Sequence, residues 1–161
     1  MAYVANDDQD EFHLYWRIDD YNLADGGKLR LEDGSAIGAN YLGAGGTGRT
    51  KIELVDWDQD GATDLLVGTT RANSVPNPEE GLPHAMKPPV ATVLFLKNVN
   101  TDAEPRFRFP VALMHRGEPI SHGAHEITAS AGELGGDGPN LVVSREDGRL
   151  FLYRREFLTP H

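Results

Sequence analysis

The chain of 161 residues contains no cysteine, which excludes disulfides, thiolate metal ligands and cysteine nucleophiles together. Basic residues are few, 15 Lys and Arg against 25 Asp and Glu, for a formal charge of −10. That excludes the basic face of a nucleic-acid binder and suits a cation as partner. No apolar run approaches the roughly 20 residues of a membrane-spanning helix. The first ten residues hold three aspartates and no apolar core, so they do not read as a secretory signal. The expectation is a cytosolic chain, one whose export signal has been removed, or a segment of something longer. No window of a dozen residues keeps a helical stripe free of Gly and Pro, so long helices are excluded too.

What is present is turn-rich, with 18 glycines and 10 prolines, yet 39% hydrophobic and therefore globular. The length suits about one domain. A domain without disulfides needs another staple, and a bound metal is the usual substitute. Apolar residues recur with period two in Phe12, Leu14, Trp16 and Ile18, and again across Lys51 to Val55. Leu65 to Val67, Val93 to Leu96 and Leu150 to Tyr153 are short apolar runs suited to strands covered on both faces. The reading is all-β.

The strands repeat. His13 to Arg17, Leu94 to Lys97 and Leu150 to Arg154 look like one strand written three times. Leu29 to Ile37 and Val111 to Ile120 follow the first two copies, each ending in Gly-x-x-Ile. Lys51 to Gly68 matches Glu126 to Ser144. Residues 71–92, with Pro76, Pro78, Pro83, Pro88 and Pro89, read as an inserted surface loop. Without that loop the period is about four strands, the size of one propeller blade. The expected organisation is a partial blade over 11–37, a full blade over 50–120 and a partial blade over 123–158. These two to two and a half antiparallel repeats cannot close a ring alone, so further blades or self-association are expected.

The stretch that carries chemistry is Asp56-Trp57-Asp58-Gln59-Asp60-Gly61-Ala62-Thr63-Asp64. Carboxylates at positions 1, 3, 5 and 9, a glycine for the sharp turn and the backbone carbonyl of Ala62 can wrap one hard cation in oxygens. Calcium suits a flexible, oxygen-rich loop better than magnesium. An EF-hand would need a bidentate glutamate where Val67 stands, and helices on both sides, so it is rejected. The alternative is an aspartate-rich turn held by side-chain-to-backbone hydrogen bonds.

This loop, followed by Leu-Leu-Val-Gly between two strands, resembles the FG-GAP/VCBS repeat, the integrin-α-like β-propeller blade. Leu96-Lys97-Asn98-Val99-Asn100-Thr101 followed by Pro105-Arg106-Phe107 resembles a further segment of many bacterial members. The resemblance implies structural calcium held by Asp56, Asp58, Asp60, Ala62 and Asp64. The second copy departs from the pattern, with Glu133, Gly135, Asp137 and Asn140 in a loop one residue shorter.

Other signals are set aside. Gly43 to Thr50 fits a phosphate-binding glycine loop but leads into an alternating stretch rather than a helix, so it reads as a connector. His115, His122 and His125 with Glu126 could form an acid–base or metal cluster, against a reading as plain turn histidines. His84 lies alone in the insertion. Trp16, Trp57 and Tyr153 could stack on sugars, against a reading as core. There is no Gly-x-Ser-x-Gly elbow, and no catalytic set is assigned. The expectation is a secreted or extracellular calcium-stabilised module binding a polysaccharide or protein. The alternative is part of a polysaccharide lyase of the rhamnogalacturonan-lyase type, a class built on FG-GAP-like propellers.

Overall fold

Side chains that alternate along a strand need a covered face on one side, and continuous apolar runs need cover on both. The computed structural model, which describes residues 2–6, 10–38, 42, 51–71, 91–123 and 125–160, meets these demands with strands. They are β1 (Ala2–Asn6), β2 (Phe12–Arg17), β3 (Leu23–Lys28), β4 (Lys51–Val55), β5 (Asp64–Gly68), β6 (Val93–Leu96) and β7 (Val111–Ala112). There follow β8 (Met114–His115), β9 (Glu118–Pro119), β10 (Ile127–Gly132), β11 (Asn140–Arg145), β12 (Leu150–Tyr153) and β13 (Leu158–Thr159). Among the described residues the one helical element is a 3-10 turn at Arg155–Phe157. The chain is all-β.

The strands form four small antiparallel sheets, in the orders β1-β2-β3, β4-β5-β6-β7, β10-β11-β12 and β13-β8-β9. The four-stranded sheet is the middle layer. Leu65, Val67, Leu94 and Leu96 join Phe12, Leu14, Leu29 and Ile37 in one cluster. Leu66, Val93 and Phe95 join Ile127, Ala129, Leu141 and Val143 in the other. Every residue of β5 and β6 is buried, as their unbroken apolar runs require. Each fully buried Leu or Val contributes about 1.5–3 kcal/mol, so these two interfaces hold the layers together. Their approach is close where β5 ends: a Cβ on Gly68 would collide with the Ile127 carbonyl.

One strand differs from expectation. The run Leu150 to Tyr153 is not covered on both faces: Leu150 is 71% and Leu152 55% exposed, while Phe151 and Tyr153 turn inward and are half-buried. β12 ends its sheet, and that sheet is an outer layer, so nothing in the described chain covers its far face. The last two residues of the predicted 71–92 loop are not at the surface. Ala91 and Thr92 are fully buried; Ala91 exchanges both backbone hydrogen bonds with His122, at 2.9 Å each. Residues 72–90, with His84, and the Gly43 to Thr50 connector lie outside the described residues.

The two Gly-x-x-Ile segments fold alike. Gly34 and Gly117 both take positive φ, 90° and 85°, which glycine adopts without steric cost. The Ile37 N–H then donates to the Leu29 carbonyl at 3.1 Å, and the Ile120 N–H to the Leu113 carbonyl at 2.9 Å. The side chains of Leu29, Ile37, Leu113 and Ile120 are all buried.

Candidate metal centre

The acidic loop joins β4 to β5. Its turn is set by left-handed backbone at Gln59 (φ 62°) and Gly61 (φ 92°), and carboxylates close it. Asp56 Oδ2 accepts the Gly61 N–H at 3.0 Å, and Asp60 Oδ1 accepts the Ala62 N–H at 3.0 Å. Asp64, fully buried at the head of β5, accepts the Trp57 N–H at 3.0 Å and the Asn98 N–H at 2.7 Å. Trp57 is itself fully buried. Its indole N–H donates to the Pro160 carbonyl at 3.0 Å, and the Arg155 guanidinium lies 4.3 Å from its ring. From the loop between β6 and β7, Asp102 accepts the Thr63 N–H at 2.7 Å and the Thr63 hydroxyl at 2.9 Å.

Asp56, Asp58 and Asp64 each place one carboxylate oxygen within 4.8 Å of the other two. Burial pushes the Asp64 carboxyl up to about 6, against the hydrogen bonds from Asn98 and Trp57 and with the charges of Asp58 and Asp60 adding to the rise. Asp60 does not join this group. It pairs with the Lys97 ammonium at 2.7 Å, and Lys97 also hydrogen-bonds Asp58. The bond from Lys97 holds Asp60 below the usual carboxylate range, and the two aspartates hold the Lys97 ammonium well above its ordinary value. Ala62 sits half-buried in the turn, its N–H committed to Asp60.

Whether a hard cation suits these residues is decided by their unmet oxygens. Asp56 Oδ1 and Asp58 Oδ1 are buried without a hydrogen-bond partner. A buried polar atom left unpaired costs about 1–3 kcal/mol, and more when it is charged. A cation taking oxygen ligands is the group such oxygens accept. The donor set fits.

The second loop is built differently. Asn140 stands at the head of β11 where Asp64 heads β5. Its Oδ1 accepts the Arg155 N–H at 3.1 Å and its Nδ2 donates to the Gly135 carbonyl at 3.1 Å. An amide is donor and acceptor at once, so this loop closes on itself with Glu133 and Asp137 left exposed. Among the described residues, Asp56, Asp58 and Asp64 are the one group of three His or acidic side chains with metal-ligand spacing.

Of the histidines, His115 and His122 meet around Tyr153, with ring centroids 5.1 and 6.3 Å from it. His125 stays exposed, and Glu126 faces Lys51 at 3.6 Å. Trp57 is an interior residue and Tyr153 packs half-buried against the core, whereas half-buried Trp16 lines a cleft of about 340 Å³ between the first two sheets. A larger cleft of about 670 Å³ opens beside the acidic loop, between Asp58, Gln59, Leu134, Asp137, Leu152 and Arg154. No helix among the described residues is long and apolar enough to cross a membrane.

Sequence reading missed Lys97, Asn98 and Asp102, which reach the loop from 34 to 39 residues away. Lys97 and Asn98 stood in the family-like segment after the apolar run of β6, and Asp102 directly follows Thr101, but nothing in that segment marked them as partners of the acidic loop. Set against known proteins, the chain matches no family model, no curated protein and no solved structure, so its site stands on its own geometry.

Proposed function

We propose that this chain is a calcium-stabilised module of β-propeller-type blades that binds a polysaccharide or protein ligand outside the cell. The observation that carries the calcium reading is the pair of buried, unpartnered oxygens, Asp56 Oδ1 and Asp58 Oδ1, beside buried Asp64. The blade reading is supported by stacked sheets of three, four and three strands. It is supported too by the exposed Leu134, Leu150 and Leu152 on the outer layer, a face suited to a further blade or a second copy. Extracellular calcium modules work at dissociation constants of about 10⁻⁴–10⁻³ M, a range open to a loop that already holds a lysine.

The chain's own residues fix the loop: Gly61 turns it, Asp102 clamps Thr63, and Asn98 and Trp57 orient Asp64. A bound cation would neutralise the carboxylates so held and couple the loop to β5. The ligand-binding part of the proposal is supported by the 670 Å³ cleft, whose size falls within the usual range for ligand sites and whose wall includes Asp58 of the same loop. Isothermal titration with calcium and with magnesium tests the centre. Saturable calcium binding that Asp56→Asn and Asp58→Asn abolish is expected, with magnesium weaker; no calcium binding up to millimolar concentration overturns the reading.

A further inference from the structure

We propose that Lys97 is a built-in counter-ion that holds the Asp58–Asp60 side of the acidic loop and must withdraw before a divalent cation can bind, so that it sets the affinity of the centre. This rests on the calcium reading above.

The geometry makes Asp58 a shared residue. One of its oxygens holds the Lys97 ammonium, while the other is buried and unpaired beside Asp56 and Asp64. An ammonium and a divalent ion on the same carboxylate repel each other, and a carboxylate largely withdrawn from water screens them less than bulk solvent does. Asp58 is only 7% exposed. Both cannot be held at full strength.

Lys97 is built to yield by its side chain alone. Its carbonyl accepts the Arg108 N–H at 2.8 Å, and the next residue's N–H is fixed on Asp64 at 2.7 Å, so the backbone is pinned on both sides. The four-carbon stem is flexible and its head is strongly hydrated once free. The side chain keeps 28% exposure, which leaves a path to solvent.

The repeat supplies an internal control. Leu65 pairs with Leu96 across β5 and β6, and Leu141 pairs with Tyr153 across β11 and β12. By that register Arg154 is the counterpart of Lys97. Arg154 points away, 71% exposed and 3.8 Å from Glu156, and its loop carries the neutral Asn140. Lys97 is turned onto the carboxylates of its own loop, whereas Arg154 is paired with Glu156 and leaves Glu133 and Asp137 of the second loop exposed.

The test is calcium titration of the wild type and Lys97→Met, with melting of each in chelator. The variant is expected to bind calcium about tenfold tighter or more, the effect of deleting a charge a few ångströms from the ion, and to melt lower than wild type in chelator. Binding by the variant alone also supports the proposal. Equal or weaker binding by the variant overturns the role of Lys97 and leaves the calcium centre standing. Absence of binding in both proteins overturns the calcium reading and the proposal with it. If Lys97→Met does not fold, the wild type decides through the ¹⁵N resonance of the Lys97 ammonium. It is expected to be visible in chelator, protected by Asp58 and Asp60, and lost at calcium saturation. A resonance unchanged by calcium, or absent in chelator, overturns the proposal.

Discussion

Asp64 and Asn140 occupy the same place one sheet apart. Each is buried at the first position of the strand after its loop, and each accepts a backbone N–H from just beyond the strand paired to its own. The donor is Asn98 for Asp64, at 2.7 Å, and Arg155 for Asn140, at 3.1 Å. They differ in what remains. Asn140 has an amide hydrogen to donate to the Gly135 carbonyl of its own loop, whereas Asp64 brings a buried charge.

That difference can be moved from one loop to the other. Asp64→Asn keeps an acceptor for the Asn98 N–H and removes the charge, but it turns an amide NH2 toward the Trp57 N–H in place of the second carboxylate oxygen. One buried donor loses its partner, so the folded chain in chelator is expected to melt somewhat lower than wild type. Its response to calcium is expected to vanish. Thermal melts with calcium and with chelator check both halves, and a retained calcium response argues against Asp64 as a ligand.

Calcium at about 100 times its dissociation constant is expected to stabilise the wild type by roughly 2.7 kcal/mol. For a chain of this size that is a rise in Tm of about 5–10 °C. Asp58→Asn should remove most of the rise, while Asp137→Asn, in the self-closed loop, should leave it intact. Superimposable melts of the wild type with and without calcium would count against the centre.

Gly68→Ala tests the seam between the middle and third layers. The added methyl would meet the Ile127 carbonyl, a backbone atom that cannot rotate away. Overpacking of this kind costs about 1–3 kcal/mol, to be read as a lower urea midpoint with m unchanged.

His122 gives the fold a pH dependence. Its ring is buried against Phe151, with Nε2 3.1 Å from the Tyr153 hydroxyl. Burial holds its pKa below the ordinary value, Arg145 adding to the effect and Asp147 opposing it. The folded chain therefore binds fewer protons than the unfolded chain below about pH 6.5. Stability from this residue is full above that pH and falls as the solution is acidified through it. Urea midpoints between pH 8 and 5 should show the decline, and His122→Gln should flatten it; identical profiles speak against the assignment.

The outer face of β12 is expected to drive association. Leu150→Ser with Leu152→Ser removes two exposed side chains, so the melting temperature should hardly move. Light scattering at micromolar concentration should show larger species for the wild type than for the variant. A wild type that stays monomeric argues against further blades or copies on this face.

How much of this could be read from the residues follows the range of each interaction. β2, β4, β5 and β6 lie where alternation or an apolar run places them, because burial of a strand is written locally. Asp56, Asp58 and Asp64 come together because one short turn joins them. Lys97 and Asp102 reach that turn across the fold, and no local pattern marks a lysine whose stem folds back rather than outward. The run at Leu150 to Tyr153 misled for a related reason. Its composition matches that of Val93 to Leu96, and only position in the stack decides whether one face or two are covered.

The middle sheet has consequences for how the sequence can drift. β5 and β6 have no surface of their own, since each side chain belongs to the interior shared with one neighbour or the other. A change of volume at Leu65 is felt by the first layer and one at Leu66 by the third, with the strand between them unable to shift toward either. Replacements there must come in compensating sets, whereas the outward positions of β12 can change singly. Tolerance to substitution should therefore rise from the centre of the stack to its faces, leaving the outer faces as the surfaces on which new partners can be acquired.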